Sequence, residues 1–150
     1  MGKFQSTKIF DGYSVALRQH KAQHSHCCML HGYSFYFHIT FASIDGTLDE
    51  TNWIQDYGSF KHNGLKEWLT EMFDHTVLIE QDDPMRPLFE EFRQYKIGKV
   101  HFLEKMGMES IAKMVFDKFN DVLSKQNGGR VKVIRVEAFE HPKNSAIYSE

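Results

Sequence analysis

Three histidines and two cysteines fall within the eight residues from His24 to His31, in the run His24-Ser25-His26-Cys27-Cys28-Met29-Leu30-His31-Gly32-Tyr33. Imidazole nitrogens at short spacing are the usual ligands of a catalytic zinc, and a thiol beside them can become a nucleophile or base. The competing reading is a polar loop of solvated histidines, since nine histidines in 150 residues make some clustering expected by chance. Cys27 divides the same way: most free cysteines are small buried hydrophobes, but flanking imidazoles or a metal draw the thiol toward thiolate. Cys28 is a possible stand-in.

Three acidic or paired positions elsewhere also carry chemistry. Asp74-His75 ends an amphipathic segment, where a histidine complements a helix dipole or takes part in a proton relay. A carboxylate directly beside a histidine does not readily point at the same ring, so Asp74 is expected to act on a neighbouring group. Glu140 is a strand-end carboxylate able to accept two parallel hydrogens. Glu109 stands at the start of a helix, favourable for the dipole and equally open to a substrate. Asp56 reads as a turn or helix cap.

These residues must be positioned by elements that the pattern of apolar residues announces. Lys8 to Leu17 reads as a first strand. Tyr33, Phe35, Phe37, Ile39 and Phe41 then share one face of a second, with Ser34, His38 and Thr40 on the other. Leu65, Trp68, Leu69, Met72 and Phe73 recur at helical spacing, as do Ile111, Val115, Phe119 and Val122 in a longer helix from about Met108 to Leu123. Asn127-Gly128-Gly129 stops that helix. Arg130 to Phe139 and Ser145 to Tyr148 are two more strands, joined by a turn at His141-Pro142-Lys143-Asn144. Asp82 to Lys99 reads as an insertion with room for a short helix around Leu88 to Tyr95. The expected order is ββααββ, an α+β fold with a four-stranded antiparallel sheet and both helices on one face.

Composition narrows the function. A chain of this length, without linker, repeat or low-complexity tract, is expected to be one domain over residues 1–150. A net charge of −2 with scattered basic residues argues against nucleic-acid binding. No apolar run approaches the ~20 residues that span a bilayer, and residues 1–6 lack the apolar core of a secretory signal. Gly2 and Ser6 fit only a loose myristoylation pattern. The two cysteines are adjacent, which rarely suits a disulfide, so a reduced, cytoplasmic setting is expected.

From about Tyr13 to Tyr148 the chain resembles the 6-pyruvoyl-tetrahydropterin synthase and 6-carboxy-tetrahydropterin synthase family. Cys27-x-x-x-His31-Gly32 resembles its catalytic cysteine followed by a His-Gly-His zinc motif. Asn52-Trp53-Ile54-Gln55-Asp56-Tyr57 with Phe60-Lys61 resembles its Trp-hydrophobic-x-Asp-Phe stretch. Phe73-Asp74-His75-Thr76-Val77-Leu78 resembles its Leu-Asp-His-x-x-Leu. Glu109 with Ile111-Ala112 resembles the start of its second helix, with Met106-Gly107 where Pro-Thr is usual. Glu140-x-x-x-Asn144-x-x-x-Tyr148 resembles its Glu-x-x-x-Asn signature. Two departures stand out: Leu17 occupies the position of a zinc histidine on the first strand, and Tyr33 that of the second histidine of His-Gly-His.

The resemblance implies a tunnelling-fold (T-fold) subunit, assembled as a trimeric barrel stacked in pairs into a homohexamer, with active sites at subunit interfaces. It implies a lyase acting on 7,8-dihydroneopterin triphosphate, with Zn2+ acidifying the substrate side chain. Cys27 and His75 would move protons with Asp74 behind them, and Glu140 would grip the pterin ring with Glu109 as a further contact. In the carboxy branch triphosphate and acetaldehyde leave, on a route toward deazapurine nucleosides such as queuosine; in the pyruvoyl branch a diketone remains. The carboxy branch is the favoured expectation. With two strand ligands replaced, His24, His26 and His31 are the expected zinc ligands, with His20 and His141 ranked below them. The other reading is a pterin- or purine-binding protein that has lost its catalytic metal. A cysteine hydrolase built on Cys27 and His75 has no motif to support it.

Overall fold

The computed structural model describes residues 2–150. Strands β1 (Ser6–Leu17) and β2 (His31–Ser43) pair antiparallel at the centre of the sheet. The alternation in β2 has the expected outcome: Phe35, Phe37, Ile39 and Phe41 are fully buried, while Tyr33, nearest the loop, is half-buried. In β1 a bulge between Phe10 and Tyr13, with Gly12 at a φ of +84°, changes which parity faces inward. Phe10, Tyr13, Val15 and Leu17 therefore all reach one core, which a regular period of two would not allow.

Helices α1 (Leu65–Phe73) and α3 (Met108–Leu123) lie where the apolar spacing puts them, and their buried stripes join the same core. Phe73 packs its ring 5.1 Å from Phe37 and 6.2 Å from Phe35. Phe60 and Phe119 close around Phe10 at 5.4 and 5.6 Å. Truncating one of these enclosed rings to alanine would cost roughly 3–5 kcal/mol.

The expected four-stranded antiparallel sheet and ββααββ order require correction. The sheet has six strands in the order β4-β3-β1-β2-β5-β6. The additional strands are β3 (Thr76–Glu80) and β4 (Lys99–Leu103), parallel to each other, with β3 parallel to β1. Both are short, and β3 buries both faces while β4 is half-buried along its length, so they lack the alternation that identifies a half-exposed strand. The supposed insertion is thus a β-α-β unit whose helix, α2, runs Arg86–Gln94. Leu78 faces the main core, while Ile79 faces a second cluster with Phe89 of α2 and Val100 of β4. Adjacent residues of a strand point to opposite faces, so α2 covers the side of the sheet that α1 and α3 leave open.

Strands β5 (Val131–His141) and β6 (Asn144–Ser149) complete the other side of the sheet. The parallel register pairs Val15 with Thr76 and Leu17 with Leu78, while His31 opens β2 opposite Leu17. One end of the sheet therefore gathers the 18–30 loop, the residues after Glu80 and the start of β2. Ligand sites collect at the carboxyl ends of parallel strands. Among the described residues no helix is long and apolar enough to cross a membrane.

Candidate active site

The loop carrying Cys27 is fastened by backbone bonds. The Gln19 amide donates to the Cys27 carbonyl at 2.8 Å. Ser25 caps the 3-10 turn His26–Cys28, its hydroxyl accepting from the Cys27 amide at 3.2 Å. Arg18 donates to the Cys28 carbonyl at 3.3 Å and forks onto Asp83 at 2.6 and 2.8 Å. Cys27 and Cys28 are both free thiols and half-buried.

Tyr33 connects this loop to the end of β5. Its ring meets His31 edge-on at 5.2 Å and His141 at 5.7 Å. Burial pushes the Tyr33 hydroxyl above its usual range, and the charges of Glu140 and Cys27 push it in the same direction. Within one chain Cys27, Tyr33 and Glu140 are thus electrostatic neighbours. Glu140 is held by the Asn144 amide, which donates to it at 3.2 Å, so the Glu-x-x-x-Asn spacing is a turn contact between β5 and β6.

Glu109 lies in the first turn of α3. Its carboxylate and the Gln19 amide both lie over Gly107, where a Cβ would come 3.5 Å from the Glu109 oxygen and 3.6 Å from the Gln19 nitrogen. Gly107 has a φ of +127°, a conformation side chains rarely adopt. The Glu109 carboxylate and the Gln19 side-chain amide thus share the space above Gly107, beside the base of the Cys27 loop.

Asp74 follows α1, and its carboxylate accepts from the Ser14 amide at 3.1 Å. It also lies 3.0 Å from Nδ1 of His75, which overturns the expectation that neighbours could not meet. His75 has a φ of +55°, and this left-handed turn folds the ring back onto the preceding carboxylate. The Ser14 hydrogen bond, assisted by His75, holds the Asp74 carboxyl below its ordinary range against a smaller effect of burial. The His75 side chain is 83% exposed. Among the described residues no hydrogen bond or ion pair joins this pair to Cys27 of the same chain. Asp56 accepts from the Gly58 amide at 2.9 Å and caps the 3-10 turn Tyr57–Lys61, as its sequence position suggested.

Zinc at the positions of Leu17, His31 and Tyr33 does not fit. Leu17 has no donor atom and is sealed in the core. His31 Nδ1 is 2.7 Å from the Met29 carbonyl oxygen, which leaves only Nε2. Tyr33 replaces an imidazole nitrogen with a phenol oxygen, a poorer zinc ligand than histidine. Nor do the loop histidines make up the set: His24, His26 and His31 are not brought together as a group of ligand atoms. His26 sits in the 3-10 turn, and the extended backbone at Met29 carries His31 away from it into β2.

Among the described residues the one such group is His20, Glu80 and Asp82, with one ligand atom from each lying within 4.8 Å of the others. His20 ranked below the loop histidines on sequence. Glu80 and Asp82 gave no signal, because only the pairing of β3 with β1 brings them to the end of the first strand.

A model of the family described as 6-pyruvoyl tetrahydropterin synthase matches residues 7–150. A 6-carboxy-5,6,7,8-tetrahydropterin synthase of Aquifex aeolicus is 33% identical over 129 residues, 83% of this chain and 76% of that protein. Among solved structures, the uncharacterized protein WS1659 from Wolinella succinogenes superposes with a TM-score of 0.76 at 22% identity, covering 98% of each chain. The 6-pyruvoyl tetrahydropterin synthase of Caenorhabditis elegans gives 0.65 at 18% identity over 100% of this chain and 97% of that one. The structural likenesses show a shared fold, and the sequence matches go further: the chain belongs to the 6-pyruvoyl tetrahydropterin synthase family.

Proposed function

We propose that the protein is a lyase converting 7,8-dihydroneopterin triphosphate and water to 6-carboxy-5,6,7,8-tetrahydropterin, acetaldehyde and triphosphate. The observation that supports this reading is the packing of Tyr33 between His31 and His141, which sets the start of β2 against the end of β5 that carries Glu140, in a chain 33% identical to a 6-carboxy-5,6,7,8-tetrahydropterin synthase. Glu140 accepts the 2-amino and N3 hydrogens of the pterin, two parallel donors matched to one carboxylate. Cys27, as thiolate, removes a proton from the substrate side chain, and His75 carries a second proton with Asp74 orienting its ring. Glu109 contacts the substrate from the start of α3. Each proton transfer of this type contributes about 10²–10⁴-fold in rate.

Among the described residues no hydrogen bond or ion pair joins His75 to Cys27 within the chain, and a site completed by a neighbouring subunit would bring them to one substrate. The proposal therefore includes a trimeric barrel stacked in pairs as a homohexamer, in the cytoplasm, where Cys27 and Cys28 stay reduced. The uncovered face of β2 and β5 has surface to contribute, with Tyr36 stacked on Phe139 at 4.4 Å and His38 at 4.7 Å from the same ring. Leu17 and Tyr33 favour a second reading, a pterin- or purine-binding protein without catalytic metal.

Incubation with 7,8-dihydroneopterin triphosphate followed by mass spectrometry separates the readings. The carboxy product supports the proposal and a pyruvoyl product moves the chain to the other branch. Tight pterin binding with no turnover establishes the binder.

A further inference from the structure

We infer that His20, Glu80 and Asp82 form a binding site for a divalent first-row transition ion, at the carboxyl ends of the parallel strands β1 and β3. The site is separate from the Leu17, His31 and Tyr33 positions and does not depend on the pterin reaction.

The first ground is an unsatisfied buried nitrogen that faces a buried carboxylate. His20 Nδ1 is buried and has no hydrogen-bond partner. It faces Glu80 Oε2 at 3.5 Å, and the side chains of His20 and Glu80 are 11% and 9% exposed. A buried imidazole nitrogen left without a partner is costly unless something lies between it and the carboxylate it faces. The Asp82 side chain is 57% exposed, which leaves a solvent side for an ion to enter. One ligand atom from each of the three residues lies within 4.8 Å of the others; an ion about 2.1 Å from each would draw them to ~3–4 Å apart through one imidazole nitrogen, a small closure that the exposed Asp82 can supply.

The second ground is charge. Asp83 is matched by the bidentate Arg18. Glu80 and Asp82 then share one ammonium, Lys21, at 3.5 and 3.0 Å. Two carboxylates with a single ammonium leave an excess of acidic oxygen around the His20 ring. The Lys21 side chain is 64% exposed and can swing out to water. An imidazole with two carboxylates suits zinc, iron or manganese better than the all-oxygen shell of calcium or magnesium.

The consequence is mechanical. His20 follows directly on Gln19, whose amide holds the Cys27 carbonyl. An ion clamping His20 to the end of β3 fixes the base of the loop that carries Cys27.

The full chain, purified without a histidine tag and stripped with a chelator, should take up one Zn2+ per chain in equilibrium dialysis, with a rise in melting temperature. Asp82→Asn and Glu80→Gln should each weaken Zn2+ at least tenfold, while His24→Ala and His26→Ala leave it unchanged. Asp82 is exposed, so its variant tests the site even if Glu80→Gln fails to fold. Lys21→Gln should tighten Zn2+ several-fold, because the ammonium competes for the same oxygens. Absence of Zn2+ binding would overturn the inference, as would binding lost in His26→Ala but kept in Asp82→Asn. No substrate enters these measurements, so their outcome is independent of whether the pterin reaction occurs.

Discussion

The Asp74 carboxylate lies 3.0 Å from Nδ1 of His75, the residue that follows it, because His75 occupies the left-handed region with a φ of +55°. Side chains of adjacent residues in extended chain point to opposite sides, so this contact exists only at the cost of a strained backbone. The same carboxylate caps the Ser14 amide of the neighbouring strand. His75 is the residue after the C-cap of α1, where left-handed backbone commonly ends a helix, and the proposed proton-carrying role uses the exposed ring that this turn sets beside the carboxylate.

His75→Gly separates these roles. The left-handed conformation costs a non-glycine residue about 1–2 kcal/mol, and glycine returns about 0.4–1 kcal/mol of that through the unfolded chain. The variant should be as stable as the parent or up to about 1 kcal/mol more stable while losing turnover. Asp74→Asn keeps an oxygen for the Ser14 amide and should lower kcat with little change in melting temperature. A clear fall in the melting temperature of His75→Gly would mean that the ring supports the fold.

Cys27→Ala should lose at least about 100-fold in kcat with pterin binding intact, since a general base acts in the transition state and adds little ground-state affinity. Cys28→Ala should remain active, because Cys28 contributes its carbonyl to Arg18. The reverse pattern in single-turnover assays would move the base to Cys28.

Glu140→Gln should weaken pterin binding by about 1.5–3 kcal/mol, the worth of a hydrogen bond to a charged group. An amide cannot accept both parallel hydrogens and must present a donor to one of them. Unchanged affinity for a pterin analogue in calorimetry would leave Glu140 as the partner of Asn144 alone.

Asp83 sets an acid limit on stability. Burial raises its carboxyl, but the Arg18 hydrogen bond, the Met85 amide and the Arg18 charge together bring it below its ordinary value. A carboxyl depressed in the folded state stabilises above its unfolded pKa of about 3.9, and that stability is lost as pH falls through the folded value. Asp83→Asn should cost about 3 kcal/mol at neutral pH, as removal of one partner of a buried pair does. The gap from the parent should narrow below about pH 4 in denaturant titrations; a constant gap would assign the loss to packing.

Assembly in threes is checked by light scattering. Strands β4 and β6 are the sheet edges, and Ile147 on β6 and Trp53 are 51% and 52% exposed. Open edges and apolar surface are aggregation hazards unless partners cover them. A trimer or hexamer is expected at micromolar concentration. A mass of 17.6 kDa, that of one chain, would remove both the barrel and the shared site.

The sequence by itself determined the elements whose side chains repeat with a clear period. The β2 alternation and the α1 and α3 stripes needed only local spacing, and α3 begins and ends at Met108 and Leu123 as that spacing predicts. The family, too, was legible, because its signatures are short runs such as Phe73-Asp74-His75 that survive without knowledge of what they touch. Tertiary structure alone decided the rest. Strand β3 is buried on both faces and β4 is a half-buried edge, so their five-residue runs carry no clear period to read. The Gly12 bulge rotates β1 by one residue, an effect no fixed repeat predicts. The Asp74–His75 contact depended on one backbone angle, and the meeting of His20 with Glu80 depended on the parallel register that sets Leu17 beside Leu78. Periodicity encodes which side of an element is buried; which distant residues then share a site depends on strand order and register, and these are fixed only when the whole sheet forms.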